Sequence, residues 1–261
     1  IIKDSNSDGS VTGSVLIGGL VGRNDEGEII NSRSTTNVTG HEGVGGLVGN
    51  NQGGLIFQSF SKGKVTGYGN DIGGLVGSNS PSVERSGIIE RSFASSKVNG
   101  SGALNIGGLV GYNSWHVYTY VNDSYASGDV KGKNSVGGLI GYQGGYVTNT
   151  YSLGEVNGNR DVAGLMGTNT GYVTDSFSID GPDIGNREGH EYGRVTVADE
   201  SDMKNASFYT QISYSGYYDL DEPWDFVGNP YNDSADEDIW DIDEDRIIND
   251  GYPFLNWERK I

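Results

Sequence analysis

The chain has 261 residues, of which 44 are glycine, none is cysteine and only 34% are hydrophobic. The lack of cysteine excludes disulfides and thiolate metal sites, and no apolar run approaches the roughly 20 residues that span a bilayer. A net charge of −18 makes nucleic acid and anionic membrane surfaces poor partners.

The chain opens inside a repeating unit. Ile1 and Ile2 align with a strand of that unit, so we expect no capping segment before them. Either the chain is a piece of something longer, or another subunit covers this edge. An uncapped strand edge can pair with another chain. We therefore predict Ile1 and Ile2 as an assembly edge, through which copies could join head to tail.

Two phrases then alternate along the sequence. Gly-Gly-Leu-Val-Gly, or a close variant, recurs six times between residues 18 and 167, and an Asn or Gln follows two positions after each copy. The second phrase is Ser-x-Ser-x-Gly-x-Val-x-Gly, anchored by a hydroxyl in each repeat. The anchors are Ser5, Ser32, Ser59, Ser92, Ser124, Thr150 and Ser176.

A period of about 27 residues with short β-branched runs is typical of one β-solenoid coil, and glycine permits its sharp corners. We predict an all-β fold: a right-handed parallel β-solenoid (β-helix) of about seven coils over residues 1–181. A small acidic, aromatic-containing capping segment is predicted over residues 182–261. The recurring Asn is expected to stack as a hydrogen-bonded ladder along the axis.

These phrases resemble the GLUG-motif repeats of large secreted or surface-anchored bacterial and archaeal proteins, many of them adhesin-like. The resemblance covers about residues 1–180. It implies an extracellular location, either secreted or at the cell surface, and it implies no catalytic activity.

Aromatic residues form two groups. The first is predicted to bind a ligand, a glycan or a protein at a cell surface, because exposed aromatic rings favour such contacts; it comprises Tyr112, Trp115, Tyr118, Tyr120 and Tyr142. The second follows the anchor hydroxyl by one position, as Phe60, Phe93, Tyr125, Tyr151 and Phe177. Alternation along a strand favours an outward stack. Cover by the C-terminal segment, or a place inside the coil, are the alternatives.

From residue 196 onward the chain has 17 acidic and 4 basic side chains. Asp241, Asp243 and Asp245 alternate there, so on an extended chain they would face one way. Carboxylates at this density favour a cation, and calcium prefers oxygen ligands. The sequence thus predicts a calcium site, with a solvated acidic face as the alternative.

The function that the sequence favours is a non-enzymatic extracellular adhesion or structural module, a rigid rod with contact surfaces on its sides. Two alternatives stay open. One is the subunit of a self-assembling filament joined through the N-terminal edge. The other is a polysaccharide lyase or hydrolase, a chemistry that β-solenoids also support, although no carboxylate pair stands out for it.

Overall fold

Parallel strands dominate the computed structural model, which describes residues 1–102, 104–115, 118–179, 181–210, 224, 226, 239–242 and 249–260. Each strand pairs with the equivalent strand of the next repeat, as Val48 does with Val21 and Val76. The stacked repeats build four sheets along one axis. The chain therefore forms a parallel β-solenoid, and the predicted fold class is confirmed.

We number the four sheets in the order in which the chain first enters them. Sheet 1 contains Ile2–Lys3, Asn6–Ser7, Glu28–Ile30, Arg33–Ser34, Leu55–Phe57, Phe60–Ser61, Gly87–Glu90, Phe93–Ala94, Thr119–Ala126, Tyr146–Ser152, Tyr172–Ser178 and His190–Val197. Sheet 2 contains Ser10–Thr12, Asn37–Gly40, Val65–Gly67, Val98–Asn99, Val130–Lys131 and Val156–Asn157. Sheet 3 contains Val15–Gly18, Glu42–Gly45, Ile72–Gly73, Leu104–Gly107, Asn134–Gly137 and Arg160–Ala163. Sheet 4 contains Val21–Asp25, Val48–Gln52, Val76–Ser80, Val110–Asn113, Ile140–Gln143, Met166–Asn169 and Ile184–Arg187.

The interior of the coils is apolar and continuous along the axis. From the second copy onward, the two central residues of each Gly-Gly-Leu-Val-Gly phrase are fully buried. They pack against the inward residues of sheet 1, namely Ile29, Ile56, Ile89, Val121, Val147 and Val173. Burial of apolar surface at this scale is the main force that stabilises the stack.

Glycine recurs in the phrase because the coils touch through their backbones there. A Cβ at Gly45 would collide with the carbonyl oxygen of Val48 in its own coil and would lie 2.8 Å from that of Leu75 in the next coil. A Cβ at Gly46 would collide with the carbonyl oxygen of Gly74 in the next coil. A side chain at either position would therefore push two neighbouring coils apart. This steric requirement explains why the pair recurs in almost every repeat.

Buried polar ladders hold the coils in register. The amide Nδ2 of Asn24 donates to Oδ1 of Asn51 at 2.8 Å, and the same bond links Asn51 to Asn79 at 2.9 Å. The ladder continues through Asn113 to Gln143. A one-residue slip would leave these buried amides without partners, at a cost of about 1–3 kcal/mol each. The expected asparagine ladder is confirmed.

The coil stack extends beyond residue 181, the boundary that the sequence suggested. Ile184–Arg187 pairs with Met166–Asn169, and His190–Val197 pairs with Tyr172–Ser178. Past Val197 come the short helices Glu200–Met203 and Ala206–Thr210, the antiparallel pair Trp240–Asp241 with Phe254–Leu255, and the 3-10 turns Asn249–Gly251 and Asn256–Lys260. None of the helices in the described ranges is long and apolar enough to cross a membrane.

Candidate functional site

A buried row of stacked aromatic rings runs along the outer surface of sheet 1. Its members are Phe60, Phe93, Tyr125, Tyr151 and Phe177, and we call it the covered row. Parallel pairing places the same position of each coil side by side, so the first three ring pairs lie 4.8–4.9 Å apart with planes within 5°. Their neighbours Ser59 and Ser61 are buried, which agrees with alternating inward and outward side chains.

The C-terminal part of the chain covers this row. We call residues 239–242 and 249–260 the strap. Trp240 packs on Tyr125 and Tyr151, and Trp257 packs on Phe60 and Phe93, with ring centroids 5.8–6.4 Å apart. Every ring of the covered row is at most 5% exposed. Of the three alternatives for these rings, cover by the folded-back C-terminal segment is confirmed.

Specific hydrogen bonds fix the strap along the row. The Tyr125 hydroxyl donates to the Glu258 carboxylate, 3.0 Å from both oxygens. Asn249 donates from Nδ2 to the Tyr151 hydroxyl at 2.7 Å, and the Trp257 indole donates to the Arg91 carbonyl at 3.0 Å. These bonds set the register of the strap, which ring packing alone would not do.

Two carboxyl groups at this contact hold protons unusually well. Burial raises the pKa of Glu258 to about 7, although bonds from the Leu255 N–H and the Tyr125 hydroxyl act the other way. Burial likewise raises the pKa of Asp123 to about 6, opposed by the hydrogen bond from Asn149. The strap contact therefore changes its ionisation close to neutral pH.

A second aromatic row lies on the same sheet, closer to sheet 4, and is half open to solvent. Its members are Tyr120, Tyr146, Tyr172 and His190, and we call it the open row. Successive ring centroids are 5.4, 4.8 and 5.1 Å apart, with planes inclined by 16°, 9° and 26°. Rings stacked in this way leave their edges, rather than their faces, for contact with other molecules.

The predicted ligand-binding residues fall in three places. Tyr112 and Tyr142 stack on sheet 4, with centroids 5.2 Å apart, and burial raises the pKa of the Tyr112 phenol. Trp115 and Tyr118 lie in the connection between sheets 4 and 1, where they are 64% and 59% exposed. Tyr120 instead belongs to the open row. The structure thus pairs two of the five residues and exposes two at the neighbouring corner.

The sequence reasoning missed Tyr146, Tyr172 and His190. A signal existed, because Tyr120, Tyr146 and Tyr172 each precede their anchor hydroxyl by four residues. Aligning the repeats on that anchor would have placed the three tyrosines in one row.

Of the three predicted metal ligands, one lies among the described residues. Asp241 lies in the strap and forms an ion pair with Arg259, whose Nε donates a hydrogen bond to Oδ2 of Asp241 at 2.6 Å. Asp243 and Asp245 fall outside the described residues. Within the described ranges no three acidic or histidine side chains converge on one point. Calcium binding stays a prediction.

The predicted assembly edge lies at one end of the sheets. Ile1 is 89% exposed, while Ile2 is half-buried and pairs with Ile29. The strands of this first coil are terminal in the sheets that they join. Self-association through this edge stays a prediction.

Comparison with known families ties the sequence to this architecture. The sequence model of the GLUG motif matches residues 13–39 and 40–66. The chain therefore contains GLUG repeats. Each GLUG match begins at the end of one sheet 2 strand and runs through sheets 3, 4 and 1, so one GLUG repeat corresponds to one coil. Neither the curated proteins nor the solved structures contain a match to the chain.

Proposed function

We propose that the chain is a non-enzymatic extracellular adhesion or structural module, in which the solenoid acts as a rigid rod. The observation that carries this proposal is the unbroken stack of coils, joined by parallel pairing and by the buried asparagine ladder. A stack whose every coil contacts its neighbours resists bending. The resemblance to secreted and surface-anchored GLUG proteins supports the location.

Contact with a partner is proposed for the corner between sheets 4 and 1. Trp115 and Tyr118 are large, exposed aromatic side chains of the kind that anchor interfaces. The net charge of −18 disfavours polyanions. A neutral glycan or a protein surface is therefore the partner that we propose, with cell-surface molecules as the source.

The rod and the contact can be tested separately. Small-angle X-ray scattering should give an elongated particle of fixed length; a flexible, expanded profile would contradict the rod. Binding to intact cells and to a glycan array should fall at least about ten-fold in the variants Trp115→Ala and Tyr118→Ala. Tyr68→Ala is the matched control, since Tyr68 is similarly exposed, at 56%. Equal losses in all three variants would contradict a defined contact surface.

Self-assembly into a filament is a second candidate, favoured by the exposed edge at Ile1 and the half-buried Ile2. A second copy docking there would pair its backbone with the terminal strands and cover the apolar end. Light scattering with and without millimolar calcium should then detect ordered polymers, which Ile2→Lys abolishes and Val83→Lys, in a loop, does not. Monomers at every concentration would contradict this candidate.

A further inference from the structure

The open row repeats one chemical group at a nearly constant interval. Three phenol rings and one imidazole succeed one another at 4.8–5.4 Å along the axis. The planes are inclined by 9–26°, so the faces of the inner rings are used against each other and the ring edges are left for other contacts. Such a row suits a ligand that offers a hydrogen-bonding group at every step.

A polar row accompanies the open row on the same face of sheet 1. It comprises Asn122, Thr148 and Thr174, which pair with one another in register. Each of them lies two residues beyond a tyrosine of the open row, so the two rows run parallel about 7 Å apart. Together they form a tract along the axis with phenol groups on one side and hydroxyl or amide groups on the other.

Over these coils the two rows contain no aspartate, glutamate, lysine or arginine, although the whole chain has a net charge of −18. Acidic side chains enter the same two columns only in earlier coils, as Glu28 and Glu90. A polyanion would gain no counter-charge here and would be repelled by the rest of the chain. The chemistry favours a neutral ligand that repeats along a line.

We propose that this tract binds a neutral, linear β-1,4-linked glycan lying parallel to the solenoid axis. Such a chain is straight and advances by nearly one coil spacing per sugar, so each sugar lies beside one rung. Successive sugars are turned over relative to one another, so the same groups recur at every second rung. Its hydroxyls match the phenol, threonine and asparagine tips, while its pyranose edges contact the ring edges of Tyr146 and Tyr172. The proposal deepens the adhesion function proposed above and rests on it for its biological meaning.

Four rungs, from Tyr120 to His190, define the length of the tract. Each added sugar gains the contacts of one rung until the rungs are occupied. Isothermal titration of the full chain should therefore give rising affinity from cellobiose to cellotetraose and little further gain with cellohexaose. Maltohexaose, whose α-linkage curves the chain, should bind at least about ten-fold more weakly than cellohexaose.

The variants are chosen at the centre of the row. Tyr146→Phe keeps the ring but removes the hydroxyl, and should weaken cellohexaose binding about ten-fold. Tyr68→Phe is the control, because Tyr68 is an exposed tyrosine that belongs to neither row of sheet 1, and this variant should bind as the parent does. Circular dichroism melts check that both variants fold.

The outcomes separate this proposal from the broader one. Absence of binding to cellohexaose and to chitohexaose in the parent chain would overturn the tract while leaving the rod and the Trp115 corner untouched. Binding that survives Tyr146→Phe but is lost in Trp115→Ala would place the glycan at the corner and would also overturn the tract. Length dependence together with loss in Tyr146→Phe alone supports it.

Discussion

The covered row and the open row lie on one sheet and are built in the same way, yet one is core and the other is surface. In both, parallel pairing stacks aromatic rings at about the coil spacing. Phe93 in the covered row is 2% exposed, whereas Tyr146 in the open row is half-buried. The difference comes from the C-terminal part of the chain, which packs on the first row. The strap covers most of its rings, and Phe208, Tyr209 and Trp224 cover Phe177.

The comparison separates two physical causes. Stacking follows from the repeat, because any residue type that recurs in each coil is brought into register. Burial follows from a distant segment whose own sequence does not repeat. A row is therefore available for binding only where no such segment covers it.

Truncating one ring in each row should give the largest contrast. Phe93→Ala removes a buried ring that contacts Phe60, Tyr125 and Trp257, and should lower the free energy of unfolding by about 3–5 kcal/mol. Tyr146→Ala loses two ring contacts at a half-exposed site and should cost only about 1–2 kcal/mol. Urea unfolding monitored by circular dichroism measures both. Equal costs would contradict the distinction between the rows.

Proton binding at the strap should make stability depend on pH. The pKa of Glu258 is about 7 in the folded chain against an ordinary 4.5, so between these values the folded state holds a proton that the unfolded state has lost. The stability that this group contributes is complete below pH 4.5 and is lost as pH rises through 7, by roughly 3 kcal/mol at most. Glu258→Gln should remove this part of the pH dependence, as measured by urea unfolding at several pH values.

Other charged groups near the strap also affect the pH dependence of stability, so the measurement needs a control variant. Asp123 has a pKa of about 6, so its effect has the same sign but ends near pH 6, and the interval from 6 to 7 reports mainly on Glu258. The charge of Arg91 lowers the pKa of Asp123 and that of Glu90 raises it, while the charge of Lys62 lowers the pKa of Glu258. Glu200→Gln serves as a control variant, because Glu200 is exposed and paired with Lys204. A pH profile that Glu258→Gln leaves unchanged would exclude Glu258 as the source.

Contacts within the repeating part of the molecule could be predicted from the sequence, whereas contacts with the part that does not repeat could not. The Asn24, Asn51 and Asn79 ladder was predictable, because a fixed period converts sequence spacing into spatial neighbours. The bond between Tyr125 and Glu258 joins residues 133 positions apart, and no period relates them. For that reason the sequence left three alternatives open for the covered row.

The residues predicted to bind a ligand lie on different sheets for a related reason, and ligand binding by them stays a prediction. Tyr112 and Tyr120 are close in sequence, but the corner after Asn113 sends them to different sheets. In a solenoid, the neighbours of Tyr120 are its equivalents one coil away, such as Tyr146, rather than residues nearby in the chain. Proximity along the sequence was the wrong guide to proximity on the surface.

Removing single hydroxyls should give the smallest and most specific contrast between the rows. Tyr125→Phe keeps the buried ring but deletes the donor to Glu258, which should cost about 1–2 kcal/mol of unfolding free energy at neutral pH. Because that bond lowers the pKa of Glu258, its loss should raise the pKa further and make the cost larger at pH 8 than at pH 5. Tyr120→Phe in the open row should change the free energy of unfolding by no more than about 0.5 kcal/mol at both pH values.

Tryptophan fluorescence during urea unfolding follows the strap directly, since Trp224, Trp240 and Trp257 all contact the covered row or its cover. If Tyr125→Phe cost the same at pH 5 and pH 8, its hydroxyl would stabilise the ring alone and would not couple the strap to the Glu258 proton.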